Sequence, residues 1–335
     1  MQIDKEYVDQ IDASLNPQLG MSKPISILAS NNKNYFLKRQ YVIDQNGVSH
    51  NENAVFMQEL FVSQIANSLQ IPIPSCAILN LEKEFLEANE DLRFQYHLKP
   101  GLYFGSEILN NTESNLVPHY IEAMQHGKPQ IIRSWNSFFR NVENPEAYAS
   151  IIALDLLTAN CDRFGNEGNI IITNHHNNRK VFALDFGHCF LSPYWNKDKV
   201  RFMQSIPDKD QDPNNYIDYF LCKLLQSTNK PLNPLGTIFS GMQNNIFFES
   251  GNPFAKIISK IESLKSEDLR MFINQIPSVW VSGDTLQLDT YVNFIEKSKY
   301  LVRYLLERLY ELGAFNNSLG GKLEWPISGI NYGIQ

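Results

Sequence analysis

Two stretches near the start of the chain, Ile25 to Ser30 and Tyr35 to Tyr41, are rich in apolar and β-branched residues and predict strands. Between them Asn31-Asn32-Lys33-Asn34 has turn chemistry, so the pair predicts a hairpin. Alternation along the second strand puts Phe36, Lys38 and Gln40 on one face, which makes Lys38 the neighbour of an apolar side chain. From Glu52 to Leu69 the period lengthens. Val55, Glu59, Val62, Ala66 and Leu69 fall at alternating steps of four and three, one stripe of a helix. Glu59 is the odd member of that stripe. A buried carboxylate needs a cation or N–H donors, and Lys38 is a candidate partner. Gln70-Ile71-Pro72-Ile73-Pro74 ends the helix, because proline cannot continue it. Ser75 to Leu81 and Leu92 to Leu98 predict further strands, and Lys99-Pro100-Gly101 predicts a turn that serves as a hinge.

Beyond residue 101 the pattern is mainly helical. Asn144-Pro145-Glu146 is a helix start, with a capping Asn and Pro at the first position, and the helix runs to about Ala159. A polar loop over 160 to 169 leads into strand Ile170-Ile171-Ile172. An Asn- and His-rich turn and a second strand over 180 to 184 follow. Helices are expected at about 214–227, 254–263, 266–274 and 287–312, with an irregular tail from Asn316. The expected architecture is α+β and bilobed. Residues 1–101 form a small β-rich N-lobe with one helix, and 102–335 a larger, mainly helical C-lobe. A ligand would bind in the cleft between them.

Composition narrows the classes. The chain has 335 residues, 43% apolar and 19% charged, an ordinary globular balance. A net charge of −7 argues against a nucleic-acid binder. No apolar run reaches the roughly 18 residues of a spanning helix, and the polar start lacks a signal-peptide core. A cytoplasmic protein is expected, or a secreted effector without a cleavable signal. Cys76, Cys161, Cys189 and Cys222 are scattered and read as buried free thiols, not as a zinc site.

Two segments carry candidate chemistry. The strand over 180 to 184 closes on Asp185-Phe186-Gly187. Upstream stands Asn160-Cys161-Asp162-Arg163-Phe164-Gly165-Asn166-Glu167-Gly168-Asn169. Phosphoryl transfer from ATP needs one acidic group to orient the nucleophile, and further oxygen donors to hold Mg²⁺ against the phosphates. Asp162, Asn169 and Asp185 supply those types on either side of one short hairpin.

In order and spacing these residues resemble the HipA-like branch of the protein-kinase-like superfamily. The resemblance rests on Lys38, Gln58-Glu59, Gln70-Ile71-Pro72-Ile73-Pro74, Asn160-Cys161-Asp162-Arg163, Asn169-Ile170-Ile171 and Leu184-Asp185-Phe186-Gly187-His188. Gly20-Met21-Ser22-Lys23-Pro24 before the first strand, Tyr103-Phe104-Gly105-Ser106, Asp155 and Ile276-Pro277-Ser278-Val279-Trp280 extend it to roughly residues 20–312. The Asp-Arg loop and Asp-Phe-Gly-His are also similar to phosphatidylinositol kinases. The resemblance implies an ATP- and Mg²⁺-dependent kinase acting on a protein Ser/Thr hydroxyl, of bacterial type. It implies that Lys38 binds the ATP phosphates and is held by Glu59, that Asp162 serves the acceptor hydroxyl, and that Asn169 and Asp185 ligate Mg²⁺.

The chain departs from the common kinase pattern in two places. The position five residues beyond the catalytic Asp is Glu167, a candidate contact for a second metal. Asn166 at plus four and Asn169 at plus seven compete for the metal role, and Asn169 is preferred because it directly precedes the strand. No glycine-rich loop is present, which leaves the Asn31-Asn32 turn as the candidate for backbone contact with phosphate. Taken singly, Lys38 reads as a solvated strand lysine and Asp162-Arg163 as a local ion pair. His188 reads as a packed or hydrogen-bonded residue, and His175-His176 as exposed. Two other functions fit the residues: a nucleotide-binding regulatory module without catalysis, and a kinase-fold enzyme that transfers AMP or acts on a lipid or small alcohol.

Overall fold

The computed structural model describes residues 3–11, 24–43, 46–94, 96–113, 131–227 and 235–325. The first part is a closed five-stranded barrel. Its strands are β1 (Asp4–Ile11), β2 (Ile25–Ala29), β3 (Asn34–Leu37), β6 (Cys76–Leu81) and β7 (Gly101–Glu107), in the order β1-β2-β3-β7-β6. β1 pairs antiparallel with β2 and parallel with β6, and so closes the ring. A small hairpin, β4 (Tyr41–Ile43) and β5 (Ser49–Asn51), leads into helix α1 (Val55–Ser68). Tyr35 and Leu37 of β3 point into the barrel with Val8, Ile27, Ala77 and Leu79. Gly105 of β7 leaves space there: a Cβ on it would lie 2.5 Å from Leu79 Cδ1.

Several expectations need correction. Gly20 to Lys23 does not precede the first strand. It lies in the connection between β1 and β2, outside the described residues. Residues 92–98 are not a strand. Helix α2 (Lys83–Ala88) precedes this part and α3 (Glu90–Phe94) enters it, so the described residues of the sheet-rich region carry three helices, not one. Leu92 and Leu98 are buried in the barrel core, and the Leu98 amide bonds to the Leu92 carbonyl, so the alternation marked burial but not backbone form. The hinge expected at Lys99-Pro100-Gly101 runs straight into β7, which fills the sheet between β3 and β6. The expected division at 101 thus coincides with the first residue of a barrel strand.

Among the described residues the second part is helical apart from one hairpin. It contains α4 (Ile131–Phe138), α5 (Glu146–Leu157), β8 (Ile170–His175), β9 (Asn178–Ala183), α6 (Lys197–Gln204), α7 (Asn214–Ser227), α8 (Thr237–Gln243), α9 (Ala255–Glu262), α10 (Ser266–Ile273) and α11 (Asp284–Glu311). The hairpin and helices α7, α9, α10 and α11 match the sequence expectation closely, whereas α6 and α8 were not expected. Asn144 does not cap α5. Its side chain exchanges two 3.0 Å hydrogen bonds with the backbone of Val181 and ties α5 to β9.

Helix α1 joins the two parts. It was expected to bury one stripe, but residues 55–66 are buried on every side. One side meets β7 of the barrel and another meets α10. A helix buried all round must give each polar side chain a partner. Gln64, for example, donates to the Phe272 carbonyl at 3.0 Å.

Candidate active site

Lys38 follows the last residue of β3. Its backbone N–H donates to the Phe104 carbonyl at 2.9 Å, so it continues the strand's path. Alternation turns it away from buried Leu37, towards α1. There its Nζ lies 3.1 Å from Glu59 Oε1 and 2.7 Å from Asp185 Oδ2. The cation is 12% exposed and Glu59 2% exposed. Burial alone would lower the Lys38 pKa, but Asp185 and then Glu59 raise it above its ordinary value. Burial would raise Asp185, but Lys38 and then His188 hold it well below the usual carboxylate range. Glu59 goes the other way: burial raises it, against the pull of Lys38. Its second oxygen, Oε2, accepts the Phe186 amide at 3.0 Å.

Asp185 sits in the left-handed region at φ 58°. That conformation costs a non-glycine residue about 1–3 kcal/mol, and Asp tolerates it better than most. Three contacts hold it there. The Gly187 amide bonds back to Asp185 Oδ1 at 3.3 Å, Phe186 is buried, and Glu59 takes the Phe186 amide. Gly187 cannot be larger, because a Cβ would stand 2.9 Å from Val55 Cγ1.

The loop after α5 is organised from beneath. Arg163 pairs with Asp155, its Nε lying 3.0 and 2.9 Å from the two carboxylate oxygens, and both side chains are fully buried. The ion pair expected between Asp162 and Arg163 therefore lies elsewhere: adjacent residues diverge, and the arginine turns inward to Asp155. Burial lifts the Asp155 pKa to about 6 in spite of Arg163. Arg163 Nη1 also donates to the carbonyls of Asn169 and Leu184, so one guanidinium joins the loop to the end of β9. Its charge stands 5.0 Å from the centre of the Phe186 ring. Asn160 donates to Asp155 Oδ1 at 3.1 Å and accepts the Asp162 amide at 3.3 Å. From the other side, the amides of Ile238 and Phe239 at the start of α8 close on the Phe164 carbonyl.

On this platform Asp162 Oδ2 accepts Asn169 Nδ2 at 2.6 Å and Asn166 Nδ2 at 3.1 Å. Asn166 Oδ1 is taken by the Gly168 amide at 3.1 Å. Asn169 is buried, and its carbonyl accepts the Leu184 amide at 3.0 Å, one residue before Asp185. The structure thus forms two connected groups, Glu59–Lys38–Asp185 and Asp162–Asn166–Asn169, joined through the paired ends of β8 and β9. Glu167 is half-buried beside them. In the Asn31-Asn32 turn the Asn32 amide bonds to the Ala29 carbonyl and the Lys33 amide to Asn31 Oδ1, so these two amides are engaged within the turn.

Four residues escaped the sequence reading of the site. Gln58, beside Glu59, donates to the carbonyls of Gly187 and Ser192. Its Oε1 accepts from Tyr291 at 2.6 Å and from Lys199, which is buried and also reaches the Ser192 carbonyl. Glu52 stands 3.7 Å from His188. The one available signal was that α1 is too polar at Gln58, Glu59 and Gln64 for a helix flanked by so much apolar sequence. His188 faces Glu52 at ion-pair distance. Burial pushes the Cys161 thiol up to about 12 and Cys189 well above its ordinary value, so neither is a reactive thiolate. Cys222 is exposed, against the expectation of buried thiols.

The oxygen donors suit Mg²⁺. Asp185 and Asn169 offer hard ligands from neighbouring backbone positions, and Mg²⁺ commonly takes one or two protein carboxylates and completes its shell with phosphate and water. Among the described residues no group of three or more His, Cys, Asp or Glu forms an all-protein metal cage, and no helix is long and apolar enough to cross a membrane.

No protein-family model matches this sequence, and no curated protein is similar to it in sequence. Solved structures match it in fold only. The Helicobacter pylori proinflammatory kinase CtkA superposes with a TM-score of 0.50 at 12% identity, over 95% of this chain and 100% of that one. A Golgi casein kinase with Mn/ADP bound matches with a TM-score of 0.36 at 16% identity, over 93% of this chain and 74% of that one. A MAP kinase from Leishmania major matches with 0.23 at 14%, over 97% and 89%. The sheet-rich first part, the helix presenting Glu59 to Lys38 and the helical second part, together with the first of these likenesses, make the fold kinase-like.

Proposed function

We propose that this protein is an ATP- and Mg²⁺-dependent kinase of the HipA-like type, transferring the γ-phosphate to a Ser/Thr hydroxyl of a protein. The observation that carries the reading is Lys38 Nζ held between Glu59 at 3.1 Å and Asp185 at 2.7 Å. A buried lysine fixed by carboxylates is a preorganised positive charge for a triphosphate, worth more in a dry cleft than in water. Mg²⁺, when bound, neutralises charge on the transferring phosphoryl group. Asp185 and Asn169 would hold it. Asn169 suits the role better than Asn166, because Asn166 Oδ1 is already engaged by Gly168. Asp162, partly exposed and oriented by both asparagines, would accept the proton of the acceptor hydroxyl.

The test is Mg²⁺-dependent turnover of γ-labelled ATP, with the protein itself and added protein as acceptors. Asp162→Ala and Asp185→Ala should each abolish transfer while leaving the fold intact by circular dichroism. Activity within a few-fold of wild type in either variant removes the assignment. Mass spectrometry of the modified acceptor separates a phosphate adduct from an adenylate. Nucleotide binding without any labelled product would instead support a regulatory module.

A further inference from the structure

The run Ile276-Pro277-Ser278-Val279-Trp280 lies outside the ion-paired groups of the site, between α10 and α11. It folds into a single 3₁₀ turn over Ser278–Trp280, closed by the Trp280 amide on the Pro277 carbonyl at 2.9 Å. The turn sends its two large side chains opposite ways: Val279 is exposed and Trp280 is buried. The indole stands edge-on to Phe56 of α1, ring centres 5.3 Å apart, and Phe56 stands edge-on to Tyr103 of β7 at 5.6 Å. Its Nε1 donates to the Leu102 carbonyl of β7 at 2.9 Å. Each element that Trp280 touches carries one half of the Lys38–Glu59 pair. Phe56 precedes Glu59 by about one turn on the same face of α1. Two residues beyond Leu102, the Phe104 carbonyl accepts the Lys38 amide at 2.9 Å. Cavities of about 380 and 200 Å³, both lined by Leu102 and Val279, flank the turn. Phe56 and Trp280 line the smaller one, so a smaller side chain at position 280 leaves α1 room to shift.

We infer that Trp280 is a positioning residue for the Lys38–Glu59 pair: from the helical part of the molecule it sets the spacing of α1 and β7, and so aims the lysine. The purpose of the pair rests on the kinase reading; how the pair is held does not. Edge-to-face rings resist sliding because their geometry is specific, and the indole N–H fixes the third corner of the joint. A displacement of about 1 Å in a preorganised site can cost on the order of 10²-fold in rate, so a side chain remote from the phosphates governs transfer through α1.

The test is the rate at which a water-soluble amine-acylating ester labels Lys38 on the full chain, read by peptide mass spectrometry. Lys299 of α11, buried and held by the Leu264 carbonyl at 2.7 Å, reports general loosening. Trp280→Ala should speed labelling of Lys38 relative to Lys299 by at least about fivefold, because the opening is local. Trp280→Phe keeps a ring against Phe56 and loses the N–H bond. It should move the ratio the same way but less, and it carries the test where the alanine variant does not fold. Val279→Ala, on the exposed side of the turn, should leave the ratio unchanged. In the transfer assay Trp280→Ala should lower kcat by at least about tenfold, and in a Glu59→Gln background it should lower it no further. A Lys38-to-Lys299 ratio unchanged in every folded Trp280 variant, or losses from Trp280→Ala and Glu59→Gln that add, overturns the proposal. A wild type that transfers no phosphate removes the kinase reading instead, and the labelling ratio alone then decides the role of Trp280.

Discussion

Arg163 lies fully buried under the loop over 160–169, with Nε on Asp155 and Nη1 on the carbonyls of Asn169 and Leu184. Removing one member of a buried ion pair leaves the other charge uncompensated and typically costs about 3–5 kcal/mol. Arg163→Met should therefore lower unfolding stability by about that amount in urea titrations, and Arg163→Met with Asp155→Leu should recover much of it. A loss under about 1 kcal/mol in the single variant would show that the pair does not hold the loop. The two asparagines separate by a different readout. Asn169→Ala should raise the Mg²⁺ concentration for half-maximal turnover by at least about tenfold, and Asn166→Ala by much less. At this scale the sequence exposed residue types better than partners. Lys38 could be paired with Glu59 because alternation and helical spacing aimed both at one place. Arg163 could not be paired with Asp155, because its neighbour Asp162 was an equally charged candidate and nothing local shows which side chain turns inward.

Helix α1 presents Glu59 to Lys38 and, one residue earlier, Gln58 to the segment after Asp-Phe-Gly. Gln58 meets the carbonyls of Gly187 and Ser192, the Tyr291 hydroxyl of α11 and the buried Lys199 of α6. Burial holds the Lys199 pKa well below its ordinary value, and its acceptors are neutral oxygens, so its charge depends on this cage. Gln58→Ala strips an acceptor from Lys199 and a donor from two carbonyls, each buried unsatisfied group costing about 1–3 kcal/mol. Amide hydrogen exchange over residues 187–192 should accelerate more than over β8 and β9. Unchanged protection there would mean that the segment is held by other contacts. The elements the sequence revealed were those with local signals: α1, α5, the β8–β9 hairpin and helices α7, α9, α10 and α11. β1 was hidden because charged residues interleave its few apolar ones and its partner β6 is some seventy residues away in parallel pairing, beyond any local pattern. α3 was misread because Leu92, Phe94, Tyr96 and Leu98 alternate as in a strand, while a short helix and a turn bury Leu92 and Leu98 equally well.

At the scale of the molecule there are two apolar cores, one inside the barrel and a larger one that takes in α1 and the helical part. Glu59 takes the Phe186 amide within the larger core, Lys38 reaches Asp185 from the barrel side, and Glu52 stands 3.7 Å from His188. The last of these involves a titratable imidazole. Burial disfavours the charged imidazole, but Glu52, Asp162 and Asp185 outweigh it and raise the His188 pKa from 6.5 to about 9. The fold therefore prefers protonated His188 more than the unfolded chain does, and the sign follows from linkage. The stabilisation is complete below pH 6.5, where both states carry the proton, declines as the folded group titrates, and is lost by the time pH passes about 9. The side chain is 37% exposed, so solvent screens the effect. A comparison of wild type with His188→Gln isolates it from every other titrating group. The melting temperature of wild type should exceed that of the variant at pH 6, and the gap should close between pH 7 and 9.5. High salt should narrow the gap at pH 6, because the attraction is between partly exposed charges. A gap that stays constant across that range would assign His188 a packing role alone and remove the carboxylates of the cleft as the source of its proton affinity.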